Sequence, residues 1–393
     1  MPSAKTYDVI VAGGGAAGLS LAYRLAQAYP DRRLLIIDEK VKRENDHTWC
    51  YWSRGTSYLE TIAYRTWDHL RVTSDTYDQV LDIAPYRYHL VRSSDFYRFI
   101  RDELGGRANV DFLLGTVERI ADGETAAEVT VNALTYSGNW VFDSRYRAAD
   151  YRPLTRRYHY LIQHFLGWEL ETSNRVFAPD CVQWFDFRTP QRDDMRFFYV
   201  LPYTERRALV EYTVFSANLL PLETYREALR AYINTTLGAE HYHILEEEED
   251  LIPMTDHPAR RRAGRRIMNI GTRGGRVKPS SGYAFRRIQS DATAIVSSLK
   301  RKDHPFDVPS TSPRYAFFDA MLLDILEHHG NLGKLIFTRL FQRNPITRVF
   351  RFLDEEDNWR ENLKLMASVP SWPFIRAAAS VAATRVFGSG TEA

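Results

Sequence analysis

The feature that most constrains this chain is a glycine turn set between two apolar runs near its start. Tyr7-Asp8-Val9-Ile10-Val11-Ala12 leads into Gly13-Gly14-Gly15-Ala16-Ala17-Gly18, and Leu35-Ile36-Ile37 follows, closed by Asp38-Glu39. A Gly-x-Gly-x-x-Gly string alone is a weak signal. Here a strand precedes it, a helical stretch follows it, and a second strand ends in an acid, which is the order of a dinucleotide-binding unit. Gly13 suits the tight turn, Gly15 lets backbone approach a pyrophosphate, and Gly18 lets helix pack closely on strand. The helix N-terminus offers free N–H groups and a positive dipole end to phosphates. Asp38, about 20 residues beyond Gly18, stands where a ribose hydroxyl is held. A glycine-rich turn in an ordinary parallel sheet is the competing reading, and the order of elements disfavours it.

The rest of the chain changes character twice. The unit from Tyr7 to Lys40 is followed by Lys42 to Trp52, read as a loop near the cofactor, with His47 and Trp49 in it. Ser94 to Leu104 has helical spacing of Phe96, Tyr97, Ile100 and Leu104, with Ser94 or Asp95 as N-cap. Val110 to Leu114 and Glu128 to Phe142 read as strands, with a turn at Ser137-Gly138-Asn139. Phe165 to Glu171, Val182 to Arg188, Arg196 to Pro202 and Ala208 to Phe215 predict successive antiparallel strands. Leu222 to Leu237 reads as a helix and Ile267 to Ile270 as a short strand. Glycine-rich Gly271 to Tyr283 comes next, then a helix to about Lys300. From Tyr315 the pattern is helical, broken near Asn344-Pro345 and Pro370 to Pro373. The expected division is therefore a dinucleotide domain in two parts, residues 1–150 and 263–310. A β-rich substrate domain, residues 151–262, interrupts it, and a helical region, residues 311–393, follows.

Composition excludes several classes. A net charge of +2 over 393 residues is too small for a generic nucleic-acid binder. Cys50 and Cys181 stand far apart, with no metal-ligand spacing and no disulfide framework, which fits a reducing compartment. No secretory signal pattern precedes the first strand, and no apolar run is long enough to span a bilayer. A cytoplasmic chain is expected, either free or peripheral to a membrane. There is no P-loop and no nucleophile elbow. Aromatic residues make up 13% of the chain, which fits either core packing or a long apolar groove.

Several blocks then point one way. Gln163-His164-Phe165-Leu166-Gly167-Trp168, Asp186-Phe187-Arg188, and Phe198 to Pro202 followed by Ala208-Leu209-Val210-Glu211-Tyr212-Thr213 occur in order. So do Ile252-Pro253-Met254-Thr255, Gly271 to Tyr283, and Arg351-Phe352-Leu353-Asp354-Glu355-Glu356-Asp357. Together they resemble the lycopene cyclases of the bacterial beta-cyclase type, from near Tyr7 to near Ala377. The last block is similar to a Phe-Leu-Glu-Glu motif, with Asp354 one methylene shorter than the usual residue. The resemblance implies an α/β fold: a Rossmann-like FAD-binding domain of the aromatic-hydroxylase-like flavoprotein type, an interleaved antiparallel β-sheet substrate domain and a helical C-terminal region.

It also implies an activity, that of an isomerase (intramolecular lyase) cyclising the acyclic ends of lycopene to beta-ionone rings without net redox change. The products would be gamma-carotene and beta-carotene. FAD would be needed in reduced form, with NADPH or NADH as reductant. The same scaffold also serves polyprenyl reductases and monooxygenases. Such chemistry requires an acid in a dry pocket, stabilisation of a carbocation and exclusion of water. Burial on an apolar strand would keep Glu211 protonated, so Glu211 is the candidate acid. Glu355 is the second catalytic candidate, against a plain solvated helix N-terminus for Asp354 to Asp357. Gly13, Gly15, Gly18 and Asp38, with Gly271, Gly274, Gly275 and Gly282, are the expected cofactor contacts. Lys278-Pro279 would lie beside the flavin ring. No metal is expected.

Of three further segments, one has a single reading and two keep a pair. Glu246 to Asp250 reads as a solvated loop. Arg260 to Arg266, with five arginines, reads as a loop before a strand or as a contact for anionic lipid. Pro373 to Phe387 is a helix packed on the domain or lying on a membrane surface, from which a C40 polyene must come.

Overall fold

The computed structural model describes residues 5–146 and 157–387. The opening unit is as expected: β1 (Lys5–Ala12), α1 (Ala16–Ala28) and β2 (Leu34–Asp38). Parallel central strands are covered on both faces, and Leu34 to Ile37 is accordingly buried at every position. There follow β3 (Thr48–Ser53), the one-turn α2 (Tyr58–Thr61), β4 (Arg65–Trp67), β5 (His69–Ser74), β6 (Tyr77–Asp82) and β7 (Arg87–Arg92). Then come α3 (Ser93–Gly105), β8 (Val110–Leu114), β9 (Val117–Ala121), β10 (Ala127–Val131) and β11 (Leu134–Asp143). The first sheet runs in the order β8-β2-β1-β11-β10-β9, parallel as far as β11 and antiparallel beyond it.

The second sheet is built mainly from β12 (Tyr160–Thr172), β13 (Cys181–Asp186), β14 (Met195–Pro202) and β15 (Arg207–Ser216). Helix α4 (Leu222–Thr235) then leads to β16 (Tyr242–Thr255). Its order is β16-β12-β15-β14-β13-β5-β6, so two strands from before residue 150 extend it. A small third sheet, β3-β7-β4, lies alongside. The chain returns to the first sheet with β17 (Ile267–Asn269), parallel to β11, and α5 (Phe285–Lys302) packs on α1. The C-terminal helices are α6 (Pro313–His329), α7 (Leu332–Arg343), α8 (Ile346–Leu353), α9 (Trp359–Ser368) and α10 (Ser371–Phe387).

Four local expectations are corrected. Residues 48–53 are strand, not loop, paired along their whole length with β7. Helix α3 begins at Ser93, so its N-cap is Arg92, which makes no side-chain cap; the Ser93 hydroxyl accepts the His47 N–H at 3.0 Å. Ser137-Gly138-Asn139 is not a turn but the middle of β11. Gly138 is there because β1 crosses closely, and a Cβ would lie 2.9 Å from the Ile10 side chain. The reversal is at Asn132 and Ala133, with φ of 50° and 63°, the left-handed pair a two-residue hairpin turn needs. Finally, Glu246 to Asp250 is no loop: it is the middle of β16, paired residue by residue with β12.

The arginine segment is anchored rather than free. Arg261 pairs with Asp291 at 2.8 Å and Arg265 with Glu124 at 3.2 Å, while Arg262 and Arg266 lie over Phe306 and Trp140. Those contacts favour the structural reading over a lipid contact. The aromatic surplus is chiefly packing: Trp52, Trp67, Trp184, Phe185, Phe187, Phe197, Phe341 and Phe350 fill one core between the second sheet and α6 to α8.

Candidate active site

The second sheet, the small third sheet and segments that follow strands of the first sheet line a cavity of about 330 Å³. The N-terminus of α1 supplies Gly15, Ala16 and Ala17, β3 and the residues before it supply Lys42, His47, Thr48, Trp49 and Cys50, and Thr272 to Ile288 close another side. One face of the second sheet forms the remaining wall. Alternation along strands puts Gln163 and Phe165 of β12, Tyr199 and Leu201 of β14, Glu211 of β15, and Glu248, Asp250 and Ile252 of β16 on it. Aromatic rings dominate: Trp49, Tyr88, Tyr97, Phe165, Tyr199 and Tyr283.

Glu211 is half-buried, with its open side toward the cavity, and its near oxygen accepts a hydrogen bond from the Thr213 hydroxyl. Burial pushes its carboxyl up to about 8. The Thr213 bond opposes that rise, and the charges of Glu248 and Asp250 add to it. Glu211 is thus a neutral acid at pH 7. Glu248 differs in having both oxygens engaged: Oε1 accepts the Thr48 N–H at 2.8 Å and Oε2 the Thr48 hydroxyl at 2.7 Å. Burial raises Glu248 too, but those bonds and nearby His47 oppose it. Asp250 lies 3.3 Å from His47 Nδ1. Burial works against charge on that imidazole, yet Asp250 outweighs it and raises the His47 pKa.

Beside Glu211 lies a group of buried hydroxyls. Trp184 Nε1 donates to the Tyr283 oxygen at 2.9 Å, and burial lifts the phenols of Tyr88, Tyr199 and Tyr283, the last to about 12. Burial likewise raises the Cys50 thiol, so no thiolate nucleophile is available there. The wall therefore offers one proton donor, fixed acceptors and π faces, a set suited to making and surviving a cation.

The glycine residues sort by place. At Gly18 a Cβ would stand 1.9 Å from the Gly13 carbonyl oxygen, so helix and turn touch only because the side chain is missing. Gly15 faces open space on the cavity wall. Gly13 backs onto Ser144, and Gly271 backs onto Ala17 of α1, which joins the two glycine-rich segments. Gly274 packs on Asn269 and Gly275 on Ala259, outside the wall. Gly282 lies on the wall with φ +72°, and a Cβ there would meet Gln163 Oε1. Asp38 accepts the Gly14 N–H at 2.6 Å and the Lys40 N–H at 2.8 Å, bracing the turn from the end of β2.

Glu355 is not brought to the cavity wall. It follows α8 at φ +62° and accepts from Lys278 Nζ at 3.1 Å and Arg287 at 2.7 Å. Burial opposes its charge, but Lys278 and Arg287 outweigh burial and hold the carboxyl below its ordinary value, as an anion. Lys278, expected beside the flavin ring, is fully buried with its ammonium on Asp319 and Glu355. The run is not a solvated helix N-terminus either. Asp354 is bonded to Trp52 Nε1 and Arg286, Glu356 to Arg54 and Arg286, and Asp357 to Arg351, which ties the C-terminal helices to β3 and α5. Glu248 and Asp250 were missed because their segment read as solvated. The signal for them was the alternation of Glu248, Asp250 and Ile252 ahead of a β-type apolar run.

Comparison with known proteins gives the family and the fold. The chain matches the family described as lycopene cyclase protein over residues 8–379. It is 24% identical over 294 residues to the lycopene beta-cyclase of Pantoea ananas, covering 71% of each chain. It is 25% identical over 307 residues to that of Pseudescherichia vulneris, covering 74% of each. Among solved structures, a flavoprotein/dehydrogenase from Cytophaga hutchinsonii superposes with TM-score 0.64 at 10% identity, covering 96% of this chain and 99% of that one. A geranylgeranyl bacteriochlorophyll reductase-like protein from Thermoplasma acidophilum gives 0.60 at 13% identity, covering 96% and 100%. At these identities the likeness is one of fold, which is that of the FAD-dependent monooxygenase and reductase group. With a profile match across nearly its whole length, the chain belongs to the lycopene cyclase family.

Proposed function

We propose that the protein is a FAD-dependent lycopene beta-cyclase, an isomerase that closes the acyclic ends of lycopene to beta-ionone rings. The observation that carries this is Glu211: a carboxylic acid kept neutral by burial, on the wall of a cavity lined by aromatic rings. The Glu211 proton goes to the terminal double bond of the polyene end. The neighbouring double bond attacks the resulting tertiary cation, and loss of a proton leaves the ring olefin. The rings of Tyr88, Tyr199 and Tyr283 line the same wall, where their faces would stabilise the cation.

The residues fit a flavin dinucleotide. Gly15 leaves open space at the N-terminus of α1 for the pyrophosphate. Gln163 Oε1 and Ser281 Oγ are buried on the wall without hydrogen-bond partners, as expected of groups that await a polar ligand. Bound in reduced form, with NADPH or NADH as reductant, FAD would supply negative charge beside the reacting end. Gly18→Val should yield protein that purifies without flavin colour, because its side chain would meet the Gly13 carbonyl; retention of bound flavin would sink this reading of the turn.

Reductases and monooxygenases share the fold, and stoichiometry separates them. Purified holoprotein given lycopene in liposomes should form cyclic product with no reductant consumed per ring beyond the initial reduction. One equivalent consumed per product would favour the redox reading. The pH dependence follows from Glu211. Its acid form is present below about 8, so the rate should fall tenfold per unit above that value and stay flat just below it.

Delivery of the substrate favours a membrane surface. Trp372 and Ile375 of α10 and Trp359 and Leu363 of α9 are exposed, while Ala377 and Val381 pack α10 onto the body. Among the described residues no helix is long and apolar enough to cross a membrane. A peripheral, cytoplasmic enzyme should therefore co-sediment with vesicles and lose that property in Trp372→Ser/Ile375→Ser. Sedimentation unchanged by the double substitution would place the contact elsewhere.

A further inference from the structure

Cyclisation starts with a proton given and ends with a proton taken, from carbons on either side of the closing bond. Glu211 supplies the first. The register of the second sheet bears on the other. Gly167 of β12 pairs with Glu211 of β15 on one side and with Glu248 of β16 on the other. Residues paired across neighbouring strands project to the same face, and both carboxylates line the cavity. Two strand spacings separate their backbones, roughly 10 Å. The residue between them has no side chain; a Cβ there would meet Leu209 Cδ1 at 3.1 Å and Glu211 Cβ at 3.7 Å, so Glu211 lies against the bare Gly167 backbone and Glu248 stands across it.

The two carboxylates are not equivalent. Glu211 has one hydroxyl partner, Thr213. Glu248 accepts two bonds from Thr48, one to each oxygen, which favours its charged form and fixes its orientation. The groups facing this pair are His47 and Asp250, themselves bonded to each other, with Cys50 and Tyr199 kept protonated by burial. The charge of Glu248 raises the hold of Glu211 on its proton, and the two Thr48 bonds oppose protonation of Glu248.

We propose that Glu248 is the base that takes the departing ring proton, so that acid and base are separate carboxylates on either side of Gly167. This rests on the cyclase reading above and deepens it. Glu211 O–H breaks and a C–H bond forms at the terminal double bond. The electron pair of the next double bond forms the ring bond and leaves the positive charge on its other carbon. The C–H bond at the newly bonded ring carbon, which carries the polyene chain, then breaks; its electrons quench that cation as the ring olefin, and its proton joins Glu248. One carboxyl has lost a proton and the other has gained one. Transfer from Glu248 to Glu211 resets the pair, and nothing is oxidised or reduced. Because the base selects which C–H breaks, Glu248 also determines where the ring double bond lies.

The test uses holoprotein with lycopene in liposomes, products separated by chromatography. Glu248→Gln should retain FAD and fall at least about 10²-fold in rate, with the remaining rings carrying the double bond in a different position. Thr48→Val removes one bond to Glu248 but keeps the carboxylate; it should lose no more than about tenfold, an ordinary single hydrogen-bond effect, and form the same ring as wild type. Wild-type rate and ring type in Glu248→Gln would overturn the proposal. So would equal losses in the two variants with an unchanged ring, since Glu248 would then act only as a latch for Thr48. If Glu248→Gln loses FAD, Glu248→Asp decides: full FAD with an altered ring supports the base, and full FAD with wild-type rate and ring overturns it. A wild type that forms no cyclic product would refute the cyclase reading itself, with its dependent base.

Discussion

Glu211→Gln should give folded, flavin-loaded protein whose cyclisation rate is lower by roughly 10²- to 10⁴-fold, the range expected when a positioned acid is removed. The substitution keeps shape and the Thr213 contact while removing the transferable proton. No other group on the wall replaces it: the phenols are too weakly acidic, and Glu248 and Asp250 are held by Thr48 and His47. A second readout follows from linkage. The folded pKa of Glu211 lies above its unfolded value, so the stability tied to its proton is whole below the ordinary glutamate range. It is lost as pH rises to about 8. Thermal unfolding of Glu211→Gln should lack that decline. Full activity in Glu211→Gln would remove the acid from this account.

The second large effect concerns folding. Lys278→Met should destabilise the protein by about 3–5 kcal/mol, the cost of leaving a buried charge unpaired. Lys278 is 1% exposed, and its ammonium neutralises Asp319 at 2.9 Å and Glu355 at 3.1 Å. Arg287 partly compensates Glu355, whereas among the described residues Asp319 keeps only the Ser280 hydroxyl. The double variant Lys278→Met/Asp319→Asn should therefore recover part of the loss, measured as melting temperature and soluble yield. A melting temperature unchanged in Lys278→Met would mean that this network contributes nothing to holding α6 and α8 on the cofactor domain.

How much of this was legible in the sequence depends on the range of the interaction. The glycine turn, the apolar runs of β1 and β2, and the strand carrying Glu211 are local patterns with a single period, and they are found where they were expected. Strand β16 was hidden because glutamate runs have low strand propensity. Its conformation comes from pairing with β12, and exposed and half-buried positions alternate along it only from Glu247 to Ile252. For the same reason β5 and β6 were not seen in the second sheet: β5 joins β13 across more than 100 residues. Gly138 looked like punctuation, yet it marks the close passage of β1. Glu355 carried an acidic motif whose meaning depends on Lys278 and Arg287, both distant in sequence. Once those cations are in view, Glu355 is a paired anion off the cavity wall, whereas Glu211 and Glu248 lie on it.

The central claim is that this cavity isomerises an acyclic carotene through the Glu211 proton. The most direct test is to express the wild-type protein and Glu211→Gln in a bacterium that accumulates lycopene and to analyse the pigments by chromatography and mass. The account predicts that wild type replaces lycopene with gamma-carotene and beta-carotene of identical mass, and that Glu211→Gln leaves lycopene in place. A product heavier by two hydrogens or by an oxygen atom, or lycopene untouched by folded, flavin-loaded wild type, would contradict it.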